Sequence, residues 1–116
     1  MTLRDFAGIG AGPRRLALRT GRGVRVLDLT EVSWVSAEGD YVRFHESSRT
    51  LLVRKTMAAA ERELATRRFA RIHRSAIVNL DHVVEFRAAA GGDGRVLLRN
   101  GVVLPMSRVY RRRAVQ

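Results

Sequence analysis

Short alternations of apolar and polar residues run along most of this chain. In RLALRT, residues 15–20, Leu16 and Leu18 fall two apart and share one face of an extended segment. The GRG at 21–23 turns the chain, and VRVLDL places Val24, Val26 and Asp28 on a second strand, so a hairpin is predicted here. Further strands are predicted at Ser33–Ala37, Asp40–Glu46, Thr50–Arg54, Ala76–Leu80, Val83–Ala88, Arg95–Arg99 and Val102–Leu104, with EGD, SSR, GGDG and NG as the intervening turn sequences. Asn100-Gly101, between VLLR and VVLP, is the strongest hairpin signal. One stretch carries helical spacing: Thr56 is placed as N-cap and MAAAERELATRR follows, with Met57, Ala60, Glu61 and Leu64 on one stripe and Phe69 just beyond. A short helical turn is predicted from Ser107 to Arg113, opened by Ser107 and closed by basic residues that suit a helix carboxyl end. The pattern therefore predicts a mostly β domain with one embedded α-helix and a short C-terminal helical turn. Residues 1–13, MTLRDFAGIGAGP, are glycine-rich and aperiodic and read as a linker or leader, which puts the domain at 14–116. The glycines at 8, 10 and 12 lack the G-x-G-x-x-G spacing of a dinucleotide loop, and no strand precedes them.

Length and composition narrow the class. A chain of 116 residues with 46% hydrophobic and 28% charged residues is one globular domain. No apolar run approaches the roughly 20 residues that span a bilayer, and there is no charged n-region leading into an apolar core at the amino terminus. With no cysteine there is no disulfide framework, thiol nucleophile or thiolate metal site, and a cytoplasmic setting with no membrane partner is expected. The 22 Lys and Arg residues against 11 acidic ones leave a net charge of +11, a field that attracts polyanions and makes nucleic acid the first partner to consider. Only Lys55 is lysine; the balance of charge carries weight here, whereas the choice of arginine can reflect coding composition.

The spacing of reactive side chains does not suggest an enzyme. His45, His73 and His82 fall on separate elements without metal-ligand spacing. Ser75 or Ser107 with His73 and Asp81 would make a triad only by tertiary accident, since neither serine sits in a G-x-S-x-G elbow. The carboxylate pairs Glu38/Asp40 and Glu61/Glu63 read as solvated charge at a turn and on a helix. No cofactor is expected. Three polar clusters at turns remain as binding candidates. In EGDYVR, Gly39 permits a tight turn, Asp40 can cap it, Tyr41 offers a hydroxyl and Arg43 a guanidinium; Tyr41 suits core and surface equally. In RIHRSAIVNL, residues 71–80, Ile72, Ile77, Val78 and Leu80 carry the burial, His73 and Asn79 read as polar groups satisfied in a turn, and Arg74 and Ser75 form a polar break with no structural need for a guanidinium. In LPMSRVYRRR, residues 104–113, Ser107 and Arg108 can set a hydroxyl on a phosphate and a guanidinium fork on a guanine edge, while Arg112 and Arg113 read as solvated charge.

Four stretches in order resemble the LytTR family, bacterial DNA-binding output domains commonly attached to receiver domains in two-component response regulators. They are VSWVSAEGDYVRFH (32–45), VRKTMAAAERELATRRFARIHRSAIVNLDHV (53–83), VLLRNGVVLP (96–105) and MSRVY (106–110), and the resemblance that rests on them spans roughly residues 14–112. The resemblance implies an elongated, mostly β fold of short antiparallel sheets whose loops, not a recognition helix, enter successive major grooves. It places DNA contacts at Asp40, Tyr41 and Arg43, at Arg74 and Ser75, and at Ser107 and Arg108, with Lys55 as a phosphate contact. Asp40 faces cytosine N4 or only caps its turn. It also implies double-stranded DNA as partner, with repeated promoter sites, a possible dimer on DNA, and a receiver domain or regulatory protein as a second partner. The segment before residue 14 is then residual linker of a longer regulator, or the start of a stand-alone module. The alternatives are a basic β domain that binds RNA or single strands, for which one Trp, two Tyr and four Phe supply few stacking platforms, and a protein-interaction module whose charge steers docking.

Overall fold

A computed structural model describes residues 14–110, so the linker expected at 1–13 and the arginines at 111–113 lie outside the described residues. Strands β1 (Arg15–Thr20) and β2 (Gly23–Asp28) form the predicted hairpin. Its register sets Leu16 opposite Leu27 and Leu18 opposite Arg25, and facing residues of an antiparallel pair share one side. The buried residue of β2 is therefore Leu27, while Val24 and Val26 lie on the other side, opposite Arg19 and Ala17.

The central layer is a five-stranded antiparallel sheet in the order β5-β4-β3-β7-β6. Its strands are β3 (Trp34–Glu38), β4 (Tyr41–His45), β5 (Thr50–Arg54), β6 (Phe69–His73) and β7 (Ala76–Asn79). Helix α1 (Met57–Leu64) leads from β5 towards β6. A second small sheet holds β8 (Val83–Ala88), β9 (Gly94–Leu98) and β10 (Val103–Met106) in the order β10-β9-β8. Both faces of the central sheet are covered. The hairpin and α1 pack on one, burying Leu16, Leu18, Leu27, Val35, Phe44, Leu64, Phe69 and Ile77. The three-stranded sheet packs on the other, where Ile72, Ala76, Val78, Val96, Leu98, Leu104 and Met106 form a second cluster. All four residues of β7 are buried because its alternate side chains enter different clusters. The stack measures 50 × 26 × 25 Å, the elongated shape that the resemblance implies.

The expected elements are present, with three informative differences. The helix stops at Leu64: Thr56 caps it, accepting from the Ala59 N–H at 3.0 Å, but residues 65–68 are a turn and Arg68 has φ +63°, which ends helical geometry. Strand β6 was not expected. Its buried residues, Phe69 and Ile72, are three apart, a spacing that mimics a helix and arises because they enter opposite clusters, with a register shift between Arg71 and His73. The Asn100-Gly101 hairpin has a three-residue loop, 99–101, closed by the Leu98 N–H on the Val102 carbonyl, with Gly101 at φ +90°. At the far end the helical turn opens at 108–110, with the Ser107 hydroxyl accepting from the Tyr110 N–H at 3.3 Å.

One polar side chain ties the layers together and a second braces the central sheet. Buried Asn79 donates to the Leu29 and Val32 carbonyls at 3.1 and 2.9 Å and accepts from the Asp81 N–H at 2.9 Å, joining the turn after β2 to the turn after β7. His45 stacks on Trp34, its partner in β3, at 4.3 Å between centroids, and its Nε2 lies 2.9 Å from the Ser36 hydroxyl. Burial first, and then the neighbouring Arg43 charge, push the His45 pKa below its ordinary value of 6.5.

Two outcomes are expected. Replacing Asn79 with Ala removes its bonds to the Val32 carbonyl and the Asp81 N–H and leaves the Leu29 carbonyl to the Val32 N–H alone, and should lower unfolding free energy by about 2 kcal/mol in a urea titration. Because the unfolded imidazole binds a proton more readily than the folded one, His45 makes stability fall as pH drops below 6.5 towards its folded pKa. His45→Phe keeps the stack on Trp34 and should flatten the decline in thermal midpoint between about pH 7 and 5.5.

Candidate nucleic-acid interface

The sheet register gathers the three polar clusters at one end of the central layer. The β3–β4 turn at 39–40, where Gly39 has φ +61°, lies at the end that β3 runs towards. Because β7 is antiparallel to β3, with Ser36 opposite Ala76, the β6–β7 turn at 74–75 falls at the same end. The Ala37 N–H donates to the Ser75 carbonyl at 3.1 Å and stitches the two turns together. Strand β5 also ends here: Tyr41 pairs with Arg54, and the Lys55 N–H donates to the Asp40 carbonyl. The last strand joins through the Ser107 N–H, which donates to the Ile72 carbonyl at 2.9 Å. Residues that span positions 40 to 108 thus form one row along a sheet end.

Their side chains are not equally available. Arg74 is exposed, and among the described residues its guanidinium has no ion-pair or hydrogen-bond partner. Arg108 is exposed as well; its backbone N–H donates to Asp93 Oδ1 at 3.1 Å, its stem runs close to Gly92, and its guanidinium is equally unengaged among the described residues. Asp40 is exposed on its turn, and Tyr41, of undecided side in the sequence, is 39% exposed while Phe44 takes the core position. Arg43, by contrast, grips both Glu38 carboxylate oxygens and the Thr50 hydroxyl. That pairing draws the Glu38 carboxyl below its ordinary range and raises the guanidinium further. Lys55 is ion-paired to Glu63 of α1.

Ser75 is tied into its own turn. Its backbone N–H donates to His73 Nδ1 at 3.2 Å, so that nitrogen is an acceptor, and the Ser75 hydroxyl donates to it at 2.8 Å. His73 and Asn79 are thus the satisfied turn groups that their sequence setting suggests. Among the described residues no cluster of His, Asp or Glu could hold a metal, and no helix is long and apolar enough to cross a membrane.

Three residues that sequence reasoning passes over shape the site. Arg71 reaches from β6 to the His73 carbonyl at 3.3 Å and the Arg74 carbonyl at 2.7 Å, pairs with Glu61 of α1 at 3.3 Å, and lies 5.4 Å from the centre of the Tyr110 ring. It ties the Arg74 turn to the helical turn that carries Arg108. Asp93 anchors that second turn through the Arg108 N–H. Arg54 is exposed and pairs with Tyr41 across β4 and β5, and among the described residues its guanidinium has no ion-pair or hydrogen-bond partner. Nothing in a chain with so many arginines marks Arg71 or Arg54 before the strands are paired.

Comparison with known proteins agrees with this geometry. The profile of the LytTr DNA-binding domain matches residues 22–116. The chain is 34% identical over 91 residues to the transcriptional regulatory protein BtsR of Escherichia coli K12, covering 75% of this chain and 36% of BtsR. It is 30% identical over 102 residues to the positive alginate biosynthesis regulatory protein of Pseudomonas aeruginosa, covering 85% and 41%. It is 26% identical over 100 residues to the sensory transduction protein LytT of Bacillus subtilis, covering 86% and 42%. The chain therefore spans well under half the length of these relatives. In fold it is similar to the LytTr DNA-binding domain of a Bacillus cereus methyl-accepting/DNA response regulator, with a TM-score of 0.74 at 22% identity over 88% of this chain and 94% of that one. With most of its length matched by the family profile and its three-sheet architecture shared, this chain belongs to the LytTr DNA-binding domain family.

Proposed function

We propose that this domain binds double-stranded DNA sequence-specifically, as the cytoplasmic output module of a bacterial transcriptional regulator that responds to a receiver domain or another regulatory protein. The observation that carries the reading is the pair of unengaged guanidiniums, Arg74 and Arg108, set on two cross-braced turns at one end of a rigid sheet. A guanidinium fork matches the O6 and N7 acceptors of guanine in the major groove, and a turn held by backbone bonds presents it with little entropy to lose. Four strand spacings separate β5 from β6, roughly 20 Å at about 4.8 Å each. A major groove is about 12 Å wide, so a row of that length reaches both a groove and its flanking phosphates. Arg74 and Arg108 then read bases; Tyr41, Ser107, Arg54 and Lys55 meet the backbone; Asp40 faces a cytosine amine or caps its turn. Arg43 and Ser75 act at closer range only by releasing Glu38 and His73, and in the ground state they shape the turns. Paired promoter repeats occupied by two copies fit a module with so short a contact row. Among the described residues the two exposed large aromatics, Tyr41 and Phe86, stand on different sheets, so they make no stacking track for a single strand, and duplex is the favoured partner.

Selection from a random duplex library at near-physiological salt tests this. The parent should enrich a defined motif, and an Arg74→Ala, Arg108→Ala double variant should lose it; retention of polyanions without any enriched motif would refute specific readout. In titrations against the selected site, each single variant should lose about 1–3 kcal/mol and relax preference at one base pair. Lys55→Ala should instead weaken selected and scrambled duplexes alike and reduce the salt dependence.

Arg71 has a different signature because it acts through the turns that it braces. Arg71→Lys removes the fork on the 73 and 74 carbonyls while keeping the charge. It should lower affinity for the selected site about 10-fold, which is about 1.4 kcal/mol, and leave scrambled-site affinity and the salt slope at parental values.

A further inference from the structure

At the end of the central sheet opposite the Arg74 row, the structure forms a pocket of about 420 Å³. That size falls within the range of small-molecule sites. Buried Leu29 and Phe69 give it an apolar floor. Arg14, Arg67, Arg68 and Arg99 stand around it, and among its lining residues Asp81 is the one carboxylate. The walls come from all three layers: the turn after β2, the start of β6 with the turn after β7, and the β9–β10 hairpin.

The wall groups are held in place without filling the opening. Asn79 spends both amide protons on the Leu29 and Val32 carbonyls and its oxygen on the Asp81 N–H, so the floor presents no unmet polar atom. Arg68 pairs with Asp81 at 2.8 Å, on side chains 69% and 58% exposed, a contact that water screens and a ligand can replace. Arg67 reaches the Arg15 carbonyl, and Arg99 lies 3.0 Å from His82 Nε2. That same nitrogen is 2.8 Å from the Thr30 carbonyl, and a single ring nitrogen cannot both donate to the carbonyl and accept from the guanidinium. With the proton on Nε2, the Arg99 guanidinium is left facing a donor and seeks another acceptor. Arg14 and Arg99, neither in an ion pair among the described residues, stand over an apolar floor and match a ligand with a hydrophobic body and two negative groups.

We propose that this pocket binds a small organic dianion, its apolar body on Leu29 and Phe69 and its anionic groups on Arg14 and Arg99 with Arg67 and Arg68. Occupancy leaves the Arg74 and Arg108 row open, so the ligand does not compete for the duplex contact. Because it touches all three layers, it stabilises their mutual arrangement through mass action. The inference is independent of the DNA reading, since each rests on opposite ends of the sheet.

The test uses 2,6-naphthalenedicarboxylate as probe, followed by amide chemical shifts of the isotope-labelled protein at about 150 mM salt, where exposed charges more than about 8 Å apart are screened. Saturable shifts confined to residues 29–30, 66–69, 79–81 and 99 are expected, with the neutral dimethyl ester and inorganic pyrophosphate each binding at least tenfold more weakly. An Arg14→Ala, Arg99→Ala variant, whose spectrum reports whether it is folded, should weaken the dicarboxylate by a similar factor, whereas Arg74→Ala, Arg108→Ala should not. Shifts scattered over arginines at both ends, pyrophosphate binding as tightly as the dicarboxylate, an unaffected Arg14/Arg99 variant, or no saturation would each overturn the proposal.

Discussion

Everything in this domain depends on covering both faces of the five-stranded sheet. A half-covered sheet of this kind would expose either the Val35, Phe44 and Ile77 side or the Ile72, Ala76 and Val78 side. The chain solves this with two small attachments, a hairpin with α1 on one face and a three-stranded sheet on the other. Since β7 is buried on both sides, a slip of one residue would exchange its whole set of contacts between two unlike clusters, so its register is strongly specified. The turns at both ends of β7 inherit that certainty. One of them carries Arg74; the other is stapled by Asn79 and forms a wall of the opposite pocket.

Charge is sorted by the same framework. Arg25, Arg43, Lys55, Arg68, Arg71 and Arg87 are paired with Glu46, Glu38, Glu63, Asp81, Glu61 and Glu85. Most of these contacts lie near the surface, where such a pair adds little stability. Their effect is on the map of potential: most acids are consumed locally, and among the described residues cations outside any ion pair remain at Arg74 and Arg108 on one end of the central sheet and at Arg14 and Arg99 on the other. Net charge alone would describe a uniformly sticky particle. Pairing decides which of those cations stay available, with Arg71 serving as both ion-pair member and strut.

The sequence reported local matters well. Strands Thr50–Arg54 and Val83–Ala88 have the bounds that their alternation predicts, and Thr56 caps the helix through its own hydroxyl, because these features depend on neighbours within a few residues. Strand β6 escaped because burial on two faces destroys the period of two on which strand recognition relies, and the hairpin at Gly101 has one loop residue more than its Asn-Gly signal suggests. Among the site candidates, the exposure of Arg74 and Arg108 agrees with what their turn settings imply. The capture of Arg43 by Glu38 is a five-residue contact across a hairpin, visible only once Glu38 and Tyr41 are paired.

By itself, then, the sequence determined the class of the molecule: a basic, cysteine-free, mostly β domain with one capped helix and turns rich in polar residues, whose ordered motifs resemble one family. Those properties follow from composition and from contacts a few residues long. Only the tertiary structure decided which cations are free, which turns share an end, and that Arg71 joins two of them. Those outcomes depend on pairings between residues far apart in the chain, such as Ile72 with Ser107 and Leu29 with Asn79, and no local pattern encodes the distance between them.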